Sequence, residues 1–168
     1  LVGYISDNTR SRWGRRHPFM YFAALPVALS YYFMWNPPAS LSGNDLFPYI
    51  VVMAIFVRTL ITVYEIPSSA LVAEMTQDYD ERTSVLSYRF FFGWTGGTMM
   101  GFYTLTYLLP STNLSNGLFN IQGYGQMGLI AAILIFTTIL ISAIGTHNFI
   151  PQLQAVSYTH LTLPTNLR

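Results

Sequence analysis

Four stretches of this sequence, residues 18–35, 46–73, 85–109 and 124–145, are apolar over most of their length. Crossing the hydrocarbon core of a bilayer as a helix takes about 20 apolar residues, and each stretch comes close to or exceeds that length. The expected fold class is therefore all-α, a polytopic membrane protein. Charged residues make up only 9% of the chain, against about a quarter in a soluble domain. Residues 36–45 and 110–123 are rich in Pro, Gly, Asn and Ser and read as loops between the helices, while 72–84 forms a third connection. Residues 1–5 read as the end of a further helix whose body lies upstream. We expect residues 1–155 to be a partial amino-terminal transmembrane domain. Residues 156–168 look like a translated sequencing adaptor and are set aside as an artefact tail.

Orientation follows from one cluster. The chain has eight Lys and Arg residues, and Arg10, Arg12, Arg15 and Arg16 fall within seven positions. Basic residues in short loops mark the cytoplasmic side, which assigns 6–17 and 72–84 to the cytoplasm and 36–45 and 110–123 to the outside. Neither outside loop contains a basic residue. His17, next to the arginines, reads as a solvated loop residue. A nucleic-acid surface needs many clustered cations on a polar fold, so nucleic acid is not an expected partner. Absence of cysteine excludes disulfides, thiol catalysis and thiolate metal sites, and the His spacing matches no zinc motif. No nucleophile and base stand at an enzymatic spacing.

Within the apolar stretches three ionisable residues remain, Arg58 and Glu65 on the second and Arg89 on the third. Each costs about 2.5–3.5 kcal/mol at mid-bilayer, so they should face the protein interior or a watery cavity. Counted from the cytoplasmic loop, the depths of Glu65 and Arg89 differ by about 3 Å at the helical rise, which predicts that they meet across the hairpin. Arg58 and Glu65, nearly two turns apart, share a helix face. Such charges can pin helices together, or they can bind a solute. A facing carboxylate and guanidinium accept and donate hydrogen bonds to neighbouring hydroxyls, as a sugar site requires, and Tyr64 and Trp94 could add an aromatic surface. Gly93, Gly97 and Gly101 recur every fourth residue and are expected to let a neighbouring helix approach closely. Pro18 suits a first helical turn, whereas Pro26 and Pro67 fall inside spans and invite kinks.

The segments GYISDNTRSRWGRRHP, YEIPSSALVAEMTQDYDERT and SYRFFFGWTGG, in this order and spacing, together resemble the glycoside, pentoside and hexuronide cation symporter family of the major facilitator superfamily. The resemblance covers nearly all of residues 1–155. It implies a fragment running from the end of helix 2 through helix 6 of the amino-terminal six-helix half, with a missing carboxy-terminal half as partner. It further implies alternating access, a sugar or hexuronide as solute, and sodium or a proton as coupling ion with no other cofactor. The location implied is a bacterial inner membrane.

By position, Glu65 resembles a helix-4 carboxylate that binds sugar hydroxyls, Arg89 the helix-5 arginine beside it, and Thr62 a threonine associated with the cation site. Asp7, in Gly3-x-x-x-Asp7, is similar to the superfamily's cytoplasmic gate acid. Arg10, Arg15 and Arg16 could then form a latch with Asp78, Asp80 and Glu81. Two departures matter: Ser69 stands where the family's best-known member has a sugar-stacking tryptophan, and Arg58 has no counterpart there. A lipid or lysolipid carrier, another solute carrier on the same fold, and a non-transporting scaffold or receptor stay open as alternatives.

Overall fold

The structure is a computed structural model that describes residues 2–9, 11–41, 43–76, 78–111 and 116–150. Arg10 and the tail assigned to 156–168 lie outside the described residues, as does the side chain of Asp7. Among the described residues there are five α-helices and no strand: α1 Val2–Asn8, α2 His17–Trp35, α3 Leu46–Met75, α4 Tyr79–Tyr103 and α5 Ile121–Gly145. The last turn of α4 widens into a π-helix, Thr104–Leu108. These boundaries follow the apolar stretches closely. Pro18 sits in the first turn of α2, where its missing N–H would have no helical partner. Pro26 and Pro67 lie inside helices that continue past them.

Two segments, Gly43–Met75 and Ile121–Phe149, are long and apolar enough to cross a membrane by length and composition. The helices α2 and α4 lose hydropathy to particular residues, Tyr, Pro and Ser30 in α2 and Arg89, Gly and Thr in α4.

Contacts at the helix ends set the topology. His17, which begins α2, meets Thr146, just past the end of α5. Trp35, which ends α2, stacks on Tyr124 near the start of α5 with ring centroids 5.7 Å apart and planes 7° from parallel. These two helices therefore run antiparallel. Arg16 reaches Glu74 in the last turn of α3, so α3 is antiparallel to α2 as well. The arginine loop, the α3–α4 corner and the end of α5 thus share one end of the bundle, the end expected to be cytoplasmic by the positive-inside rule.

Helix α2 is the centre of the core. Met20, Ala23, Ala24, Val27 and Ala28 are buried on it at the i, i+3, i+4, i+7 spacing of one helix face. Ala23, Ala24 and Val27 cluster with Ile139 of α5, with Leu60, Ile61 and Tyr64 of α3 packed around them. Toward the arginine-loop end, Met20, Leu71 and Ala143 join the same three helices. Small residues bring α2 and α5 together: a Cβ on Gly128 would lie 2.5 Å from Cβ of Trp35.

Gly128→Ala is accordingly expected to cost about 1–3 kcal/mol by overpacking. Gly96→Ala, where a Cβ meets nothing within 4 Å, should stay within about 0.5 kcal/mol. Thermal unfolding in detergent compares them, and equal effects would contradict the close approach.

The predicted glycine contact on α4 is not made. A Cβ on Gly93, Gly97 or Gly101 would also meet nothing within 4 Å, so this face of α4 is open. Spacing along one helix set the stripe, but the opposing helix that would fill it is not among the described residues.

Candidate functional site

Four polar residues of α3 form a stripe along the helix. Arg58, Thr62, Glu65 and Ser69 are spaced i, i+4, i+7 and i+11, which at 3.6 residues per turn places them within about 60° of one another. Arg58, Glu65 and Ser69 are exposed and Thr62 is half-buried. Thr62 donates its hydroxyl hydrogen to the carbonyl of Arg58 at 2.9 Å, leaving the oxygen lone pairs available to a cation or a donor. Neither Arg58 nor Glu65 makes an ion pair among the described residues.

Arg89 comes to this stripe from α4, but its partner differs from the one expected. Its Nη1 donates to Oγ of Ser69 at 2.8 Å, one turn beyond Glu65 on the same face. Ser69 lies about 6 Å from Glu65 along the helix on the same face, so the expected partner was missed by one turn of depth, which counting residues from the loop does not resolve. Arg89 also opens a groove of about 490 Å³ along α4, lined with Phe90, Gly93, Trp94, Gly97 and Thr98. Trp94 is 77% exposed there and can present its ring face. Tyr64 does not join it: this side chain packs against both hydrophobic clusters between α3 and α2, so the aromatic surface to which it was expected to contribute is left to Trp94.

At the arginine-loop end of the bundle, Arg15 and Arg16 meet an acid that was not among those predicted. Arg16 Nη2 lies 2.7 Å from Oε1 of Glu74 and Arg15 Nη2 lies 3.4 Å from the same oxygen. The three acids expected in the latch are exposed, and two of them build the α3–α4 corner. Asp78 is the N-cap of α4 and accepts from the backbone N–H groups of Asp80 and Glu81, and Glu81 accepts from the Thr76 hydroxyl at 2.6 Å. Arg82 donates to the carbonyl oxygens of Ala73 and Thr76, capping the end of α3. Glu74 had a usable signal: a carboxylate in the last turn of a helix faces the negative end of the macrodipole and calls for a basic partner.

His17 is also corrected. It is 1% exposed, packed beside His147 with ring centroids 5.6 Å apart. His17 precedes Pro18, where the spanning part of α2 begins. Burial, reinforced by His147 and opposed by its bond to Thr146, holds its pKa below the usual 6.5. Folding therefore favours the neutral ring; that contribution to stability is complete above about pH 6.5 and is lost as the pH falls.

Comparison with known proteins adds the following. The sequence model described as MFS/sugar transport protein matches residues 1–163. An uncharacterised symporter of Synechocystis sp. is 34% identical over 149 residues, 86% of this chain and 26% of that protein. The inner membrane symporter YicJ of Escherichia coli is 33% identical over 116 residues, 69% of this chain and 24% of that protein. Over 90 residues, 53% of this chain and 17% of the relative, a sodium-dependent lysophosphatidylcholine symporter of Gallus gallus is 32% identical. The chain thus spans about a quarter of the length of the first two relatives. No solved structure matches it.

Proposed function

The chain belongs to the MFS/sugar transport protein family, and we propose that it supplies part of the amino-terminal half of a cation-coupled symporter for a sugar or sugar-like solute, resident in a bacterial inner membrane. The observation that carries the reading is the α3 stripe of Arg58, Thr62, Glu65 and Ser69 with Arg89 entering from α4. Glu65 accepts from solute hydroxyls, Arg89 donates to them, and the exposed ring of Trp94 covers the apolar face of the sugar. The Thr62 oxygen is a ligand for sodium or lies beside a mobile proton. Two guanidinium groups against one carboxylate favour a solute with an acidic group, such as a hexuronide. No nucleophilic chemistry is assigned to these residues; the role is transport.

A lysolipid is the second reading, supported by the relative named as a lysophosphatidylcholine symporter and by the apolar lining of the Arg89 groove. The discriminating measurement is uptake of labelled hexuronide and labelled lysophosphatidylcholine into proteoliposomes holding the complete carrier, with an imposed sodium or proton gradient. Gradient-driven accumulation of the hexuronide, unaffected by lysolipid, is the expected result. Accumulation of the lysolipid alone would transfer the site to the second reading, and accumulation of neither would remove both the hexuronide and the lysolipid as solutes.

A further inference from the structure

Trp13 belongs to the arginine loop, yet its ring lies against the side of the bundle. Gly14 follows it in the left-handed region at φ 77°, which a residue without Cβ adopts at no steric cost. The chain folds back there, and Trp13 meets Tyr21 edge to face with ring centroids 5.8 Å apart. Tyr21 is one turn into α2, about 6 Å along the helix from its start. Trp13 is nevertheless 56% exposed. Its backbone N–H donates to Oγ of Ser11 at 3.2 Å, which leaves the indole N–H available. Arg12 beside it is exposed and makes no ion pair among the described residues, whereas Arg15 and Arg16 both turn to Glu74.

The face of α2 that carries Tyr21 continues inward through Leu25, Ala28 and Tyr32, spaced i+4, i+7 and i+11 from it along one side of the helix. Leu25 is 54% exposed. Below it, Ala28, Leu29 and Tyr32 form a groove of about 320 Å³ with Leu129, Ile133 and Phe136 of α5. The groove is lined by α2 and α5 alone and by no charged residue. Helix α3 packs on another side of the same pair, around Ala23, Ala24, Val27 and Ile139, so the groove opens away from the polar stripe of α3. From Tyr21 to Tyr32 the helix rises about 16 Å, and half the hydrocarbon core of a bilayer is about 15 Å. The groove therefore ends one leaflet's depth from Arg12 and Trp13.

We propose that this side of the α2–α5 seam binds one anionic phospholipid from the leaflet on the arginine-loop side. The phosphate accepts hydrogen bonds from Arg12 and from the indole N–H of Trp13. The glycerol esters lie at the Trp13 ring, an amphipathic group suited to the membrane interface, and one acyl chain runs over Leu25 into the groove. Charge selects the head group: a basic residue near the surface attracts anionic lipid, and no carboxylate lines the path to hold the amine of a zwitterionic one. Glu74 is taken by Arg15 and Arg16, and Asp78 and Glu81 build the α3–α4 corner. The matched depths select a lipid over a free anion, which would leave the groove unfilled. The α3 stripe takes no part, so the proposal does not depend on the choice of solute.

Native mass spectrometry of the complete carrier, titrated in detergent with phosphatidylglycerol or with phosphatidylcholine, counts the bound lipids and measures their affinities. One phosphatidylglycerol is expected to bind about fivefold more tightly than phosphatidylcholine, the worth of one basic residue at an anionic surface. Arg12→Gln should remove that preference. Ile133→Trp fills the groove and should weaken binding of both lipids about 15-fold, the effect of keeping two methylenes out of it. Arg12 is exposed and Ile133 is 55% exposed, so both variants leave the core intact. Equal binding of the two lipids, a preference that survives Arg12→Gln, or affinities unchanged by Ile133→Trp would each overturn the proposal. A carrier that binds no lipid and is a dimer would overturn it as well, and would give this face to a second copy.

Discussion

Glu65→Gln or Arg89→Ala in the complete carrier is expected to lower solute uptake by about 100-fold, the loss of one or two charge-assisted hydrogen bonds to the solute, while insertion and expression stay near normal. The separation of function from folding rests on what these side chains touch. Glu65 makes no ion pair among the described residues, so neutralising it orphans no buried cation. Arg89 is bonded to a neutral, exposed hydroxyl on Ser69, which water can satisfy after the guanidinium is removed. Ser69→Ala tests the positioning of Arg89 and should cost only about 3- to 10-fold, because one hydrogen bond to the guanidinium is lost and its charge remains. Initial uptake rates, normalised to membrane-inserted protein, provide the measurement. Normal uptake in both the Glu65 and Arg89 variants would take the α3 stripe out of the binding site. If uptake falls only because the protein no longer inserts, the charges serve helix packing instead.

The helices were legible in the sequence because apolar length, loop composition and Pro18 all bear on the same boundaries, and those signals are local. Depth was legible only to within a turn: counting residues from the loop puts Glu65 and Arg89 at nearly one level, and Arg89 bonds Ser69 instead, one turn further along α3. What failed were statements about azimuth and about partners distant in sequence. The stripe of Gly93, Gly97 and Gly101 is real as a face, yet the chain's close helix approach runs instead through Gly128 and the alanines of α2 and α5. His17 looked solvated because four arginines precede it. Its burial depends on Thr146 and His147, some 129 residues away in the chain for the Thr146 bond, and no local pattern carries that contact. Tyr64 sits next to Glu65 in sequence and about 100° away from it around the helix, enough to turn it into the core. Asp78 and Glu81 were assigned to a latch when the corner between α3 and α4 needed them first.

The cytoplasmic latch offers the largest stability effect. Glu74→Gln removes the carboxylate at 2.7 Å from Arg16, and the consequences should be unequal for the two arginines. The Arg16 side chain is 10% exposed and Arg15 is 35% exposed. Removing a carboxylate bonded to a desolvated guanidinium is costly, whereas a surface pair is worth about 0–1 kcal/mol. Glu74→Gln should therefore cost about 2–4 kcal/mol, a fall of roughly 5–12 °C in Tm for a chain of this size, and Arg15→Ala about 0.5 kcal/mol. Replacing both members of the closer pair, Arg16→Met with Glu74→Met, should recover most of the loss, because the guanidinium then left without Glu74 is that of Arg15, whose side chain is 35% exposed and open to water. Thermal unfolding of the four proteins in detergent, at low and at high salt, is the experiment. A Glu74→Gln loss that persists at high salt and is repaired in the double variant identifies a desolvated tie between the arginine loop and α3. A small, salt-sensitive loss would make it a surface ion pair, and the link between the two cytoplasmic segments would then rest on the Met20, Leu71 and Ala143 packing beneath it.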